Sequence, residues 1–240
     1  MGTLAEQFAL VTGGGGGIGR AMCRALAREG TTVWAIGRSV ETLTETVAEC
    51  GVRGRAYVAD LTDTTQIERL RDDASREFGR VDILIHSAGV IAHGPVAASP
   101  VDALDEQYQS NVRLPYLVTQ QLLPMLRERP GQIVFVNSSI VFGGPRSNVS
   151  QFAATQHAVR SFAETLRQEV NGDGIRVLCV YPGRTATARQ ERLYSKEGKP
   201  YRPELLLQPD EIATMVVAAL SLPATAEVTD INIRPMLKSY

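Results

Sequence analysis

The chain is short of cysteine, aromatic residues and net charge, and each shortage removes a class of explanation. Its three cysteines, Cys23, Cys50 and Cys179, are scattered through 240 residues. An odd number without metal-ligand spacing supports neither a closed disulfide framework nor a metal site. Reduced, partly buried thiols in a cytoplasmic protein are therefore expected. Lys and Arg total 25 against 26 Asp and Glu, a formal net charge of -1, so the overall balance recruits neither nucleic acid nor an anionic membrane surface. No apolar run approaches the roughly 18 residues that a membrane-spanning helix needs. Met1 to Gln7 has no basic region followed by an apolar core of the secretory kind. A small-molecule partner remains as the default.

What the chain does have is a regular alternation of strand-like and helix-like stretches, in a length sufficient for one α/β domain with a substantial core. Phe8 to Thr12 is a short apolar run that breaks into five consecutive glycines, Gly13 to Gly17, and resumes as a helical pattern from Ile18 to Glu29. Further strands are expected at Thr32–Gly37, Arg55–Val58, Val81–Ile85, Ile133–Val136, Arg176–Tyr181 and Val228–Arg234. Between them lie helical patterns at Glu41–Ala48, Thr65–Phe78, Val101–Asn111, Leu117–Arg129, Phe152–Asn171 and Asp210–Ser221. Asp63 can cap the helix that follows it, and Pro115 and Pro130 punctuate the middle of the chain. From about 183 to 208 the pattern dissolves into a charged, proline-containing segment, too long for an ordinary connection and suited to a substrate lid. This rhythm implies a single domain with a doubly wound parallel sheet, Rossmann-like, covered on both faces.

The glycine run stands where a strand turns into a helix, as Thr12-Gly13-Gly14-Gly15-Gly16-Gly17-Ile18-Gly19. Glycine permits the tight turn and lets a pyrophosphate approach the donors at a helix N-terminus, where the helix dipole favours negative charge. With Asp60 after the third strand, His86-Ser87-Ala88-Gly89 after the fourth, Asn111, Ser139, and Pro182-Gly183 followed by Thr187, this order and spacing resemble the short-chain dehydrogenases/reductases over essentially the whole chain. The resemblance implies that Gly13, Gly17, Ile18 and Gly19 hold a dinucleotide, that Asp60 and Leu61 contact its adenine, and that Ala88 and Gly89 line it. Pro182, Gly183 and Thr187 would border the nicotinamide. It also implies a homodimer or homotetramer, packed through the helices at 114–129 and 152–171 and through the C-terminal strand.

The end of the second strand selects between the two nicotinamide cofactors. An acid there accepts hydrogen bonds from a free ribose 2′-hydroxyl and repels a 2′-phosphate. Here Gly37 is followed by Arg38 and Ser39. A guanidinium able to fork onto phosphate favours NADP(H), the alternative for Arg38 being a solvated surface group.

In the family a serine steadies the substrate oxygen, a tyrosine thirteen residues later transfers the proton, and a lysine four further on lowers the tyrosine pKa. An asparagine on an earlier helix supports the lysine. Ser139 and Asn111 match, but the count from Ser139 arrives at Phe152 and then Gln156. The frame around them, Phe-Ala-Ala-Thr-Gln-His-Ala, otherwise follows the family, and no neighbouring register offers a Tyr and a Lys four apart. A positioned general acid contributes about 10²- to 10⁴-fold to such a step. Phe152 has no proton to give and Gln156 no charge. Three explanations follow. The chain is an NADP(H)-binding reductase whose ordinary carbonyl reduction is lost or impaired, or it reduces imines as iminium ions, which are already cationic and need no acid. Alternatively it is a non-catalytic partner subunit of an active homologue. Tyr194, Tyr201 and His93 are conceivable replacement acids, and Arg146, Arg184 and Arg189 could meet an anionic substrate. For all six, packing or a solvated surface position is the favoured reading. Ser138 reads as structural.

Overall fold

Residues 4–143 and 146–237 are described in the computed structural model; Met1–Thr3, part of the stretch read for a leader, lie outside them. The fully buried run Phe8–Thr12 forms β1 at the centre of the sheet. It pairs in parallel with β2 (Thr32–Gly37) on one side and β4 (Ile83–His86) on the other. With β3 (Gly54–Val58), β5 (Gln132–Val136), β6 (Arg176–Pro182) and β7 (Asp230–Ile233), the sheet order is β3-β2-β1-β4-β5-β6-β7. Every pairing is parallel.

Because side chains alternate across a strand, each of the inner strands β1, β2, β4, β5 and β6 feeds two cores. Ala9, Val11, Val33, Ala35, Ile83 and Ile85 face one layer. Packed on it are helices α1 (Gly17–Arg28), α2 (Val40–Cys50) and α8 (Pro209–Leu220). Leu10, Trp34, Ile36, Leu84, Ile133 and Phe135 face the other. It is covered by α3 (Thr64–Phe78), α5 (Leu114–Arg127) and α6 (Ser150–Val170). Strands buried on both faces read as continuous apolar runs, which is why they were visible in the sequence. Asp63 caps α3 by accepting from Thr65 N at 2.9 Å.

Three local expectations are corrected. First, β4 covers Ile83–His86, preceded by Val81, whose N–H goes to Met125 O on α5, and by Asp82, whose N–H still reaches Phe8 O of β1. Second, the two middle helices are one rod with a wide turn. The first, α4, covers Val101–Tyr108, and a π-type turn at Gln109–Arg113 runs straight into α5, with Leu114 N donating to Gln109 O five residues back. Pro115 lies in the first turn of α5 instead of ending a helix, since proline lacks the N–H that a tighter turn would require. Third, the segment after β6 is not irregular throughout. It carries α7 (Ala188–Lys196), capped by Thr187, whose hydroxyl accepts from Gln190 N at 3.2 Å. Only Leu193 and Tyr194 of α7 are buried, too few apolar positions to announce a helix. The segment is tied at both ends: Ala186 N donates to Leu207 O at 2.7 Å, and Leu207 N to Arg184 O at 3.1 Å.

Candidate cofactor and active site

Where the strands end, the glycine turn meets the end of β4. Gly13 has φ +68°, and a Cβ on it would lie 2.8 Å from Ala88 N. A Cβ on Gly19 would collide with the Gly13 carbonyl. The turn therefore holds only with glycine at both places. Thr12 fixes its distance from β4: its hydroxyl donates to Ile85 O at 3.3 Å and accepts from Ser87 N and Ala88 N, both at 3.2 Å.

A cavity of about 750 Å³ opens beside this turn. Gly13, Gly17 and Ile18 line it, together with Arg38, Asp60 and Leu61 from the neighbouring strand ends. Ala88, Gly89, Pro182, Gly183 and Thr187 line the other wall. Of the residues expected around a dinucleotide, only Gly19 stands back, buried behind the turn. Arg38 is exposed at the rim and makes no ion pair or hydrogen bond among the described residues. The Asp60 carboxyl is held below its usual range by the N–H and hydroxyl of Thr62, with Arg38 adding to the effect.

Deeper in, Phe152 and Gln156 of α6 line the cavity beside Asn111. The serine at this wall is Ser138, where the thirteen-residue count put Ser139. Ser138 keeps an extended backbone (φ -148°, ψ 144°), prolonging β5, whereas Ser139 starts a short 3-10 turn through Phe142. The Ser138 hydroxyl also accepts from Ile140 N at 3.3 Å, capping that turn. Asn111 is fully engaged. Its Oδ1 accepts from Val90 N at 2.8 Å, and its Nδ2 donates to Val90 O at 2.9 Å and Thr155 Oγ1 at 3.1 Å. It holds the π-type turn, the loop after β4 and α6 together. The Gln156 side chain, by contrast, is buried against the cavity without a hydrogen-bond partner among the described residues.

None of the conceivable replacement acids lines the cavity. Tyr194 is buried under the Arg184 guanidinium, 4.7 Å from its ring, with the Tyr201 ring edge-on at 5.7 Å. His93 Nδ1 faces Glu197 Oε1 at 3.4 Å, and burial holds its pKa below the ordinary value against the pull of that carboxylate. Arg184 also turns to Glu197, at 3.4 Å. Arg146 stays outside the cavity, and Arg189 lines it.

Two features went unnoticed in the sequence. Arg192 joins Arg189 at the cavity from α7, whose helical signal was too sparse to align them. His86, read only as part of a motif, is wholly buried at the cavity floor. Its ring stacks on Phe135 with centroids 4.9 Å apart, and Nε2 lies 2.9 Å from Thr119 Oγ1. Burial drops its pKa to about 3, so it is neutral at pH 7.

A parallel doubly wound sheet, with a glycine turn and a cavity at its strand ends, defines a nucleotide-binding α/β protein. The family model for short chain dehydrogenase matches residues 7–198, and the chain belongs to that family. Dehydrogenase/reductase SDR family member 11 of Bos taurus is 30% identical, over 96% of this chain and 96% of that protein. Among solved structures, an alcohol dehydrogenase of Thermococcus sibiricus complexed with 5-hydroxy-NADP superimposes with a TM-score of 0.86. It is 25% identical, with 98% of each chain covered. A short chain dehydrogenase of Shigella flexneri complexed with NADP gives a TM-score of 0.87 at 27% identity, over 96% of this chain and 98% of that one. Among the described residues, no helix is long and apolar enough to cross a membrane.

Proposed function

We propose that the chain is an NADP(H)-dependent oxidoreductase lineage of this family in which ordinary carbonyl reduction is impaired. One observation carries the reading: Phe152 and Gln156 line the cavity together with Ser138, and neither can donate a proton as an acid or hold a charge. The residues present fit the cofactor. Glycine at Gly13 and Gly19 lets the turn close against Ala88 and against its own backbone, which leaves Gly15, Gly16 and Gly17 at the α1 N-terminus facing the cavity, and the exposed, unpaired Arg38 suits a 2′-phosphate. The NADP complexes of the structural relatives support the same choice.

Once bound, NADPH supplies a hydride. Gly13, Gly17 and Ile18 would receive the pyrophosphate, Asp60 and Leu61 the adenine, and Pro182, Gly183 and Thr187 the nicotinamide end, with Ala88 and Gly89 along one side. Ser138 donates a hydrogen bond to a substrate oxygen; Asn111 positions α6. Phe152 forms an apolar wall and Gln156 a neutral one, so an alkoxide left by reduction of a ketone would find no nearby acid. The same two walls favour a second substrate class: an iminium ion becomes a neutral amine on receiving hydride, and Gln156 does not repel its charge as an ammonium would. The segment at 183–208 acts as the lid, and a homodimer or homotetramer is the expected assembly.

The test compares this chain with its Phe152→Tyr/Gln156→Lys variant, for NADPH binding and for turnover of simple ketones and a cyclic iminium. Ketone turnover equal in both would sink the account of the missing acid. Iminium turnover by the unaltered chain selects the second substrate class. NADPH binding with no turnover of either substrate supports a disabled reductase or a partner subunit over iminium reduction.

A further inference from the structure

Four arginines line the cavity, and their partners divide them. Arg20 is neutralised by Glu45 at 2.6 Å. Arg38, Arg189 and Arg192 have no carboxylate within ion-pair distance among the described residues, and Asp60 is the one acidic side chain on the cavity wall. Three unpaired guanidiniums against one carboxylate make this an anion-binding cavity, with the positive charge in two places: Arg38 at the adenine end, and Arg189 with Arg192 on α7.

The second place is fixed by geometry. The cap of α7, Thr187, leans on the first residue of α1: a Cβ built on Gly17 lies 3.1 Å from Thr187 Cγ2. The N-terminal ends of two helices, of 12 and 9 residues, thus meet at one point, and both dipoles favour an anion there. From the first turn of α7, Arg189 reaches across to the end of β4, its Nη2 donating to Gly89 O at 2.6 Å. Arg192, three residues on, shares that face of the helix. The Arg189 side chain therefore bridges the two walls of the cavity, over the place where a dinucleotide seated on the α1 N-terminus must pass.

Resting on the cofactor reading above, we infer that Arg189 and Arg192 form a clamp on the cofactor's pyrophosphate. Arg189 exchanges the Gly89 carbonyl for a phosphate oxygen, a stronger charge-assisted acceptor, and Arg192 adds the second charge. Cofactor binding and seating of α7 are then one event, so the first half of the lid answers to the cofactor and not to the substrate.

The experiment measures NADPH affinity by fluorescence titration for the unaltered chain, Arg189→Gln/Arg192→Gln and Arg38→Gln. Adenosine 2′-phosphate, which has the 2′-phosphate but no pyrophosphate, serves as the second ligand. The α7 pair variant should bind NADPH at least about tenfold more weakly, the scale of a lost charge-assisted hydrogen bond, and bind adenosine 2′-phosphate normally, which also shows that it is folded. Arg38→Gln should weaken both. Hydrogen exchange across 188–196 should slow when NADPH is added to the unaltered chain, and not in the pair variant. Equal NADPH affinity in the pair variant and the unaltered chain overturns the clamp and leaves the two arginines to an acidic substrate. No NADPH binding by the unaltered chain sinks the cofactor assignment, and the clamp with it.

Discussion

Asn137, at the end of β5, donates through Nδ2 to the main-chain carbonyl of Gln156 at 3.0 Å, while its Oδ1 accepts from Ser138 N at 2.7 Å. One buried side chain thus sets the separation between the strand that presents the serine and the helix that presents Phe152 and Gln156. Asn137→Ala leaves the Gln156 carbonyl and the Ser138 N–H without this partner, and should destabilise the fold by about 1–3 kcal/mol. Urea denaturation checks it; a change within error would show that water replaces the amide.

The choice between adjacent serines is testable in the Phe152→Tyr/Gln156→Lys background, where ketone turnover is expected to reappear. There, Ser138→Ala should lower kcat about 10²-fold, the scale of one lost oxyanion donor, and Ser139→Ala should leave it near unchanged. The reverse result would restore the thirteen-residue count.

His86 makes stability pH-dependent. Its folded pKa of about 3 lies below that of an unfolded histidine, so between about pH 6.5 and the folded value the unfolded chain binds a proton that the folded chain refuses. Stability attributable to this group therefore falls as pH drops through that window, by about 1.4 kcal/mol per unit. His86→Asn removes the dependence. Urea midpoints at pH 7 and pH 5 should show the parent losing about 2 kcal/mol more than the variant; parallel losses would mean that the imidazole is not kept neutral.

The strands and the glycine turn were legible because both leave strong local marks: doubly buried strands are unbroken apolar runs, and the turn tolerates no side chain at Gly13 or Gly19. The positions of Phe152 and Gln156 were legible for a related reason, since on one helix four residues fix a shared face. Which of Ser138 and Ser139 lines the cavity was not, because that depends on how far the backbone stays extended after β5 before the 3-10 turn. Arg192 was missed because α7 buries little, and His86 because nothing local tells a buried ring on Phe135 from a solvated one. What the sequence withheld was side-chain direction at strand ends and in the lid, where tertiary contacts decide.

The two hydrogen bonds that join Ala186 and Arg184 to Leu207 have an evolutionary consequence. They cinch the segment between Arg184 and Leu207 at its base, so the chain enters and leaves it at one point beyond the end of β6. Residues can be inserted or deleted inside that loop at little entropic cost and without disturbing β6 or α8. Length changes confined to 197–206 would therefore leave Thr187, Arg189 and Arg192, which line the cavity from this segment, in place.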